Sequence, residues 1–571
     1  MKIFQFKVKA SKMVGASLDR SFFTTAMTVL LTTALFRGSG AIETFEPFNA
    51  LESTISHLHH ALSRNSTSCR SVVSAFTARI QQFNPTINAM TSLNPEALEI
   101  ADELDRRLQA GNMTGKLFCV PVVLKDNYDA VGMNTTGSNV ALAGNRPTVD
   151  APLVKALRDE GAIILGKTNL HDLALEGLTV SSFGGQTINP YDHTRTPGGS
   201  SGGTGAALAT SFAILGTGTD TVNSLRSPAS ANSLVSVRPT RGLLTRSGVV
   251  PISTTQDNVG PMARNIQDLA TALTVMASVG PDRGDDATLN VPPEVRGQDY
   301  SAALTDLQNL EGLRIGLIEG FWNRTESDET TPVVDAMDGV IEFLKQEKAE
   351  IVTINETIYN ATALADLDVQ VFEFRHTLNA YLSNPNLEGD RATSFDKIWR
   401  SGKFLVISSQ YKFMGKALYS TKSDPAYATA LNGIKKLTAS LKSTLTTNKL
   451  DALIYPEQKN LVVKIGSASQ SGRNGILAAL TGYPVVTVPA GFSPVTEEAP
   501  VGVPIGMEIL GLPFDEARLL SLANHITQKY RVRRVPQFAN STVPAGVLDS
   551  MPSMMPNTSN IPSVYRMGKL A

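Results

Sequence analysis

Cysteine is scarce in this chain: Cys69 and Cys119 are the only two among 571 residues. That excludes a disulfide-built scaffold, and the pair matches neither a zinc nor a redox spacing, which leaves one bridge or two buried thiols. An excess of either charge is lacking as well, with 51 basic against 52 acidic side chains and no long basic block. This removes the electrostatic footprint of a nucleic-acid binder and favours a neutral or small partner. Histidine is sparse, and where it clusters, at His57, His59 and His60, no glutamate completes the helix of a zinc hydrolase. Helix-surface histidines are the simpler reading, and neither a metal nor an organic cofactor is expected.

The N-terminal apolar run, "FFTTAMTVLLTTALF" over 22–36, is short for a membrane span. It follows Lys2, Lys7, Lys9, Lys12 and Arg20 and precedes the small residues Ser39 and Ala41, the order of a secretory signal. A signal over 1–41 is therefore expected, and with it a secreted or secretory-pathway protein; an uncleaved anchor is the alternative, and initiation at Met13 would shorten the basic lead. A mitochondrial presequence is the rival, which the continuous apolar run disfavours. Eight Asn-x-Ser/Thr sequons, at Asn65, Asn112, Asn134, Asn323, Asn355, Asn360, Asn540 and Asn557, permit a glycoprotein. Composition alone yields about five or six, so they add little weight.

What is present is an ordinary apolar content of 42%, enough for a large buried core. Helical spacing runs to Pro85, and "FCVPVVLKDNYD" then reads as a buried strand that delivers Lys125 at its exit. "APLVKALRDEGAIILGKTNL" pairs a helix with a strand, the rhythm of an α/β protein. Short β-type segments, "DALIYPE", "YPVVTVPAGF" and "VPIGMEILG", precede a closing helix. No linker interrupts 42–534, which predicts one domain, and the Pro-, Ser-, Asn- and Met-rich stretch 535–571 reads as a tail that is disordered or loosely draped over the body. Residues 312–450 carry no readable chemistry.

The decisive stretch is "TPGGSSGGTG" over 196–205. Four glycines around two serines mean a flexible linker or a backbone approached closely. Gly199, Ser201 and Gly203 satisfy the letters of a nucleophile elbow, but the turn-forming "NPYDHTRTP" before them supplies no strand. Extended to "GGSSGGTGAALATSFAILGTGTDTVNSLRSPASANSLVSVRPTRG", the pattern resembles that of the amidase signature family: a GGSSGG loop, a small-residue helix, a GTDTGGS-type turn, an Arg, a Pro and a KPT-like triplet. The spacing from Ser200 to Ser224 agrees. So do Lys125 in "PVVLKDN", "GAIILGKTNLHDLA", "NPYD", "QDNVGPMAR", "GYPVVTVPAGF" and "VPIGMEILG", over most of 44–534.

The resemblance implies one α/β domain with a large mixed β-sheet surrounded by α-helices. It implies a serine amidohydrolase acting on a small-molecule linear amide, with Ser224 as nucleophile, Ser200 as a bridging serine on a cis peptide, and Lys125 as base. A serine hydroxyl needs a neighbour to take its proton, a lysine can do so only when neutral, and desolvation depresses its pKa. Thr221, Val222, Asn223 and Ser224 would form the oxyanion hole with their N–H groups. Ser201 would support the network, and Asp220 and Arg226 would hold the turn, an ordinary surface ion pair being the bland alternative. Val222-Asn223 stands where the family usually has Gly-Gly. A need for positive φ there would distort the hole, since a β-branched residue adopts it poorly; otherwise the side chains only reshape the acyl pocket. A glutaminase subunit of a transfer-RNA amidotransferase and a catalytically silent binding protein of the same fold are the alternative functions. Which amide is cleaved and the oligomeric state are not legible.

Overall fold

An eleven-stranded mixed sheet runs through residues 48–568, the part of the chain described by the computed structural model; the signal expected over 1–41 lies outside the described residues. Its strands are β1 (Met90–Leu93), β2 (Pro121–Lys125), β3 (Ile163–Thr168), β4 (Leu215–Asp220), β5 (Val235–Arg238), β6 (Asn258–Ala263), β7 (Arg314–Ile318), β8 (Glu350–Ile354), β9 (Ala452–Pro456), β10 (Val485–Phe492) and β11 (Pro504–Leu510). They stand in the order β1-β3-β2-β4-β6-β5-β10-β11-β9-β7-β8. β2 runs parallel to β3 and β4, and β7 parallel to β8 and β9, while the other neighbours are antiparallel. Every residue of β2, β3 and β4 is buried, as parallel strands covered by helices on both faces must be. Among the described residues no helix is long and apolar enough to cross a membrane.

The glycine-rich loop leads into a fully buried helix, Gly202–Ala209, of sequence "GGTGAALA". Its small side chains are a packing requirement. A Cβ on Gly203 would lie 2.2 Å from the Asn169 carbonyl oxygen, so only glycine lets the helix start directly against the exit of β3. The low helix propensity of glycine is overridden by that burial. Residues 312–450 supply β7, β8, the helix Thr331–Gln346, whose Val333, Met337, Val340 and Leu344 join the main core, and further helices whose apolar faces form separate clusters beside it.

Of the two readings of the cysteines the structure selects the bridge: Cys69, opening the helix Cys69–Ile87, is joined to Cys119, just before β2, with Cα atoms 5.4 Å apart. The link spans a sequence separation of 50 residues.

Of the two expectations for the tail, disordered or draped over the body, the described residues show the draped one. Arg79 donates to the carbonyls of Ala539 and Ser541 at 2.8 and 2.6 Å, and Arg70 to that of Leu548 at 2.5 Å. Asn88 exchanges hydrogen bonds with the backbone of Asn557, as does Asn560 with that of Gln186. Arg566–Met567 pairs antiparallel with Leu405–Val406, and the Tyr565 hydroxyl donates to the Ser467 carbonyl at 2.5 Å. Proline, serine and asparagine keep this stretch from forming helices, but its carbonyls satisfy buried donors of the body.

Two outcomes follow for stability. The pair Cys69→Ala with Cys119→Ala should lose about 3–4 kcal/mol in chemical denaturation, the scale for a loop of this size. Removing 535–571 strips Arg79 of two acceptors and should lower Tm by about 2 °C or more; a truncated chain that melts with the full one would show that the tail only rests on the surface.

Candidate active site

Lys125 is the last residue of β2 and is completely buried. Its Nζ lies 2.8 Å from Ser200 Oγ and 2.7 Å from Thr219 Oγ1. No carboxylate among the described residues touches it, so burial dominates and pushes the amine down to about 7, against the pull of Asp220 and Asp257. An amine so placed is neutral over a large part of the physiological range and can accept a proton.

Ser200 follows a cis peptide bond from Gly199, and its carbonyl accepts from the His171 N–H at 3.1 Å. The Ser201 hydroxyl donates to the Thr219 carbonyl and accepts from the Thr219 N–H, both at 3.3 Å. The Ser201 N–H donates to the Ser224 carbonyl at 3.1 Å. These bonds set the serine loop and the turn after β4 back to back, with Lys125 and Ser200 on one side and Ser224 at the pocket. The Ser200 and Ser224 hydroxyls are not hydrogen-bonded to each other in this arrangement.

The turn itself leaves the N–H groups of Thr221, Val222, Asn223 and Ser224 without a protein acceptor among the described residues. Neither Val222 nor Asn223 has positive φ, so the β-branched residue is no obstacle to the turn. Val222 lines the pocket beside Ile476, whereas the Asn223 side chain turns inward and donates to Glu457 Oε1 at 3.0 Å. The pocket is a cavity of about 450 Å³ whose wall includes Ser224, Thr221, Val222, Glu176, Asp368 and Phe413.

Asp220 and Arg226 are no surface pair: both side chains have zero exposure. Arg226 donates to both Asp220 oxygens at 3.0 Å, to both Glu508 oxygens at 2.9 and 2.7 Å, and to the carbonyls of Val222 and Gly475 at 2.5 and 2.9 Å. Arg238 adds a bond to Asp220 at 2.9 Å. Burial works to raise the Asp220 carboxyl, but the two guanidinium groups outweigh it and hold it down to about 2. Thr219, Glu457 and Glu508 belong to this constellation and are not legible from the motif. The signal for Glu508 was a lone charge inside the apolar "VPIGMEILG"; Thr219 and Glu457 carried none beyond their place in "GTDT" and "DALIYPE".

With this geometry in hand, comparison with known proteins is informative. A family model described as Amidase matches residues 71–520. The chain is 30% identical to mandelamide hydrolase of Pseudomonas putida, over 84% of this chain and 92% of that protein. It is 29% identical to a glutamyl-tRNA(Gln) amidotransferase subunit from Caldanaerobacter subterraneus subsp. tengcongensis, over 85% of this chain and 98% of that one. The structure resembles that of native peptide amidase from Stenotrophomonas maltophilia with a TM-score of 0.74 at 32% identity, covering 85% of this chain and 99% of the other.

The network predicts its own fragility. Asp220→Ala leaves two buried guanidinium groups short of a carboxylate and should cost about 3–5 kcal/mol, read as a lower denaturation midpoint. A midpoint equal to that of the parent chain would mean that the ion pairs carry no net stability.

Proposed function

We propose that this chain, which belongs to the amidase family, cleaves the C–N bond of a linear carboxamide through an acyl-enzyme on Ser224. Amide hydrolysis is its general activity, carried by the family and by relatives such as the mandelamide hydrolase and the peptide amidase. The observation that supports the finer reading is the buried Lys125 amine 2.8 Å from Ser200, on a loop whose backbone is bonded to Ser224.

In this reading the Ser224 oxygen attacks the amide carbonyl as its proton passes to Ser200, and the Ser200 proton passes to Lys125. The tetrahedral oxyanion is stabilised by the free N–H groups of the turn, which need no reorganisation as charge develops. Collapse breaks the C–N bond, and the lysine ammonium returns its proton through Ser200 to the departing ammonia or amine. Water then enters by the same relay, releasing the acid. The 450 Å³ cavity has an apolar side at Val222, Phe413 and Ile476, suited to an acyl group of moderate size.

For location, we infer an oxidising compartment. The disulfide favours it, and seven of the eight sequon asparagines are exposed, Asn323 alone being half-buried. Similarity to the amidotransferase favours a second reading, a glutaminase working with partner proteins; the disulfide weighs against the reducing interior such a role requires.

Ser224→Ala is expected to abolish labelling by a fluorophosphonate, and undiminished labelling would remove Ser224 from the nucleophile's role. Lys125→Ala should lower kcat by about 10²–10⁴-fold. Because the base acts in its neutral form and burial has moved it down from the ordinary lysine range, kcat/KM should fall as pH drops below about 7. An acid limb near the ordinary lysine value would contradict the assignment.

A further inference from the structure

Asn223 stands one residue before the nucleophile, and its side chain is buried with Glu457 at zero exposure. The Asn223 Nδ2 group donates to Glu457 Oε1 at 3.0 Å. The other oxygen of each side chain, Asn223 Oδ1 and Glu457 Oε2, is buried and has no hydrogen-bond donor among the described residues. Two orphan acceptors in one buried contact are costly. A proton on Glu457 resolves both, because it turns one acceptor into a donor toward the other and gives an acid and an amide two bonds in opposite directions.

The surroundings favour that proton. Near Glu457, Glu508 on β11, the register partner of Tyr455, takes hydrogen bonds on both oxygens from Arg226. Asp220 and Arg238 lie behind Arg226, and Tyr455 on β9 and Arg473 on the adjoining loop complete the charged and titratable groups around it. Burial first, and the neighbouring Glu508 second, push the Glu457 carboxyl up to about 8; Asn223, Arg226 and Arg473 pull the other way. Space for the pair is made by Gly475, where a Cβ would lie 2.5 Å from Asn223 Cβ.

We propose that Asn223 and protonated Glu457 form an acid–amide pair that positions the oxyanion turn of this chain, and that ionisation of Glu457 weakens the turn's reactivity toward an acyl or phosphonyl centre. The inference rests on the reading of Ser224 as nucleophile. Its physical reason is twofold. Ionisation breaks one of the two bonds that hold Asn223, and it puts a negative charge behind the site where the oxyanion develops. Glu457 is thus a positioning residue, acting through Asn223.

The test is the rate constant of fluorophosphonate labelling between about pH 6 and 10, which needs no known substrate. The parent chain should show a rise through about 7 from Lys125 and a fall through about 8 from Glu457. Glu457→Gln offers an amide in place of the protonated acid, so its profile should rise and stay level at alkaline pH. Glu457→Ala leaves Asn223 unpaired and should label roughly tenfold more slowly at all pH values. Thermal melts across the range separate these effects from unfolding. A parent profile with no alkaline limb, or a limb that persists unchanged in Glu457→Gln, would overturn the pair's role while leaving the nucleophile assignment intact. Labelling that survives Ser224→Ala would overturn that assignment, and this inference with it.

Discussion

The geometry of the site depends on burying Asp220 between Arg226 and Arg238. A carboxylate removed from water is tolerated only when opposite charges and hydrogen bonds replace its hydration, and here two guanidinium groups and the Leu225 N–H do so. The partners are far apart in the chain. Arg226 opens the helix after the turn, Arg238 ends β5, and Glu508 lies inside β11. Moving any one of them would expose a charge to an apolar interior. The turn carrying Thr221 to Ser224 is therefore clamped from three elements at once, and Arg226 also holds its backbone directly through the Val222 carbonyl. An oxyanion hole made of backbone donors is only as well preorganised as the turn that aims them.

Lys125 is the counterpart of that arrangement. It is as deeply buried as Arg226, yet its polar contacts are hydroxyl groups, Ser200 and Thr219, and no carboxylate among the described residues lies in contact with it. A paired cation keeps its charge in the interior; an unpaired one is driven toward neutrality. The same desolvation thus leaves one cation as a permanent structural charge and lowers the other toward the neutral form in which an amine can accept a proton. Lys167, on the neighbouring β3, is buried as well and faces Asp126 and backbone carbonyls, yet burial outweighs the pull of Asp126 and Asp129 and lowers its amine too.

The parts that were legible in the sequence are those written locally. The buried strand ending in Lys125 and the alternation of helix and strand follow from short-range patterns, the serine loop and its turn from a motif, and the large mixed sheet from the family resemblance that the motif carries. The parts that escaped depend on encounters across the fold. Glu457 and Glu508 sit in segments whose apolar pattern announces a strand, and nothing local shows that both point at a turn more than two hundred residues earlier. The tail is a different case. Its composition argues against regular structure, and it forms little; but order came from extended chain satisfying buried donors such as Arg79 and Asn88, which composition does not encode.

The exchange at the turn shows how a departure from a family pattern is absorbed. A glycine pair gives a turn freedom and room, and Val222-Asn223 supplies neither. The freedom proves unnecessary, because the turn reaches its geometry without positive φ at either residue. The room is recovered elsewhere: Gly475 leaves space against Asn223, and its carbonyl joins the bonds to Arg226. What the side chain adds is an anchor, since a glycine has nothing to offer Glu457. A turn that relies on glycine must be held by its backbone alone, whereas this one is held by backbone and side chain together. Its rigidity is in that way coupled to the protonation of a buried acid, a sensitivity that a glycine turn would not have.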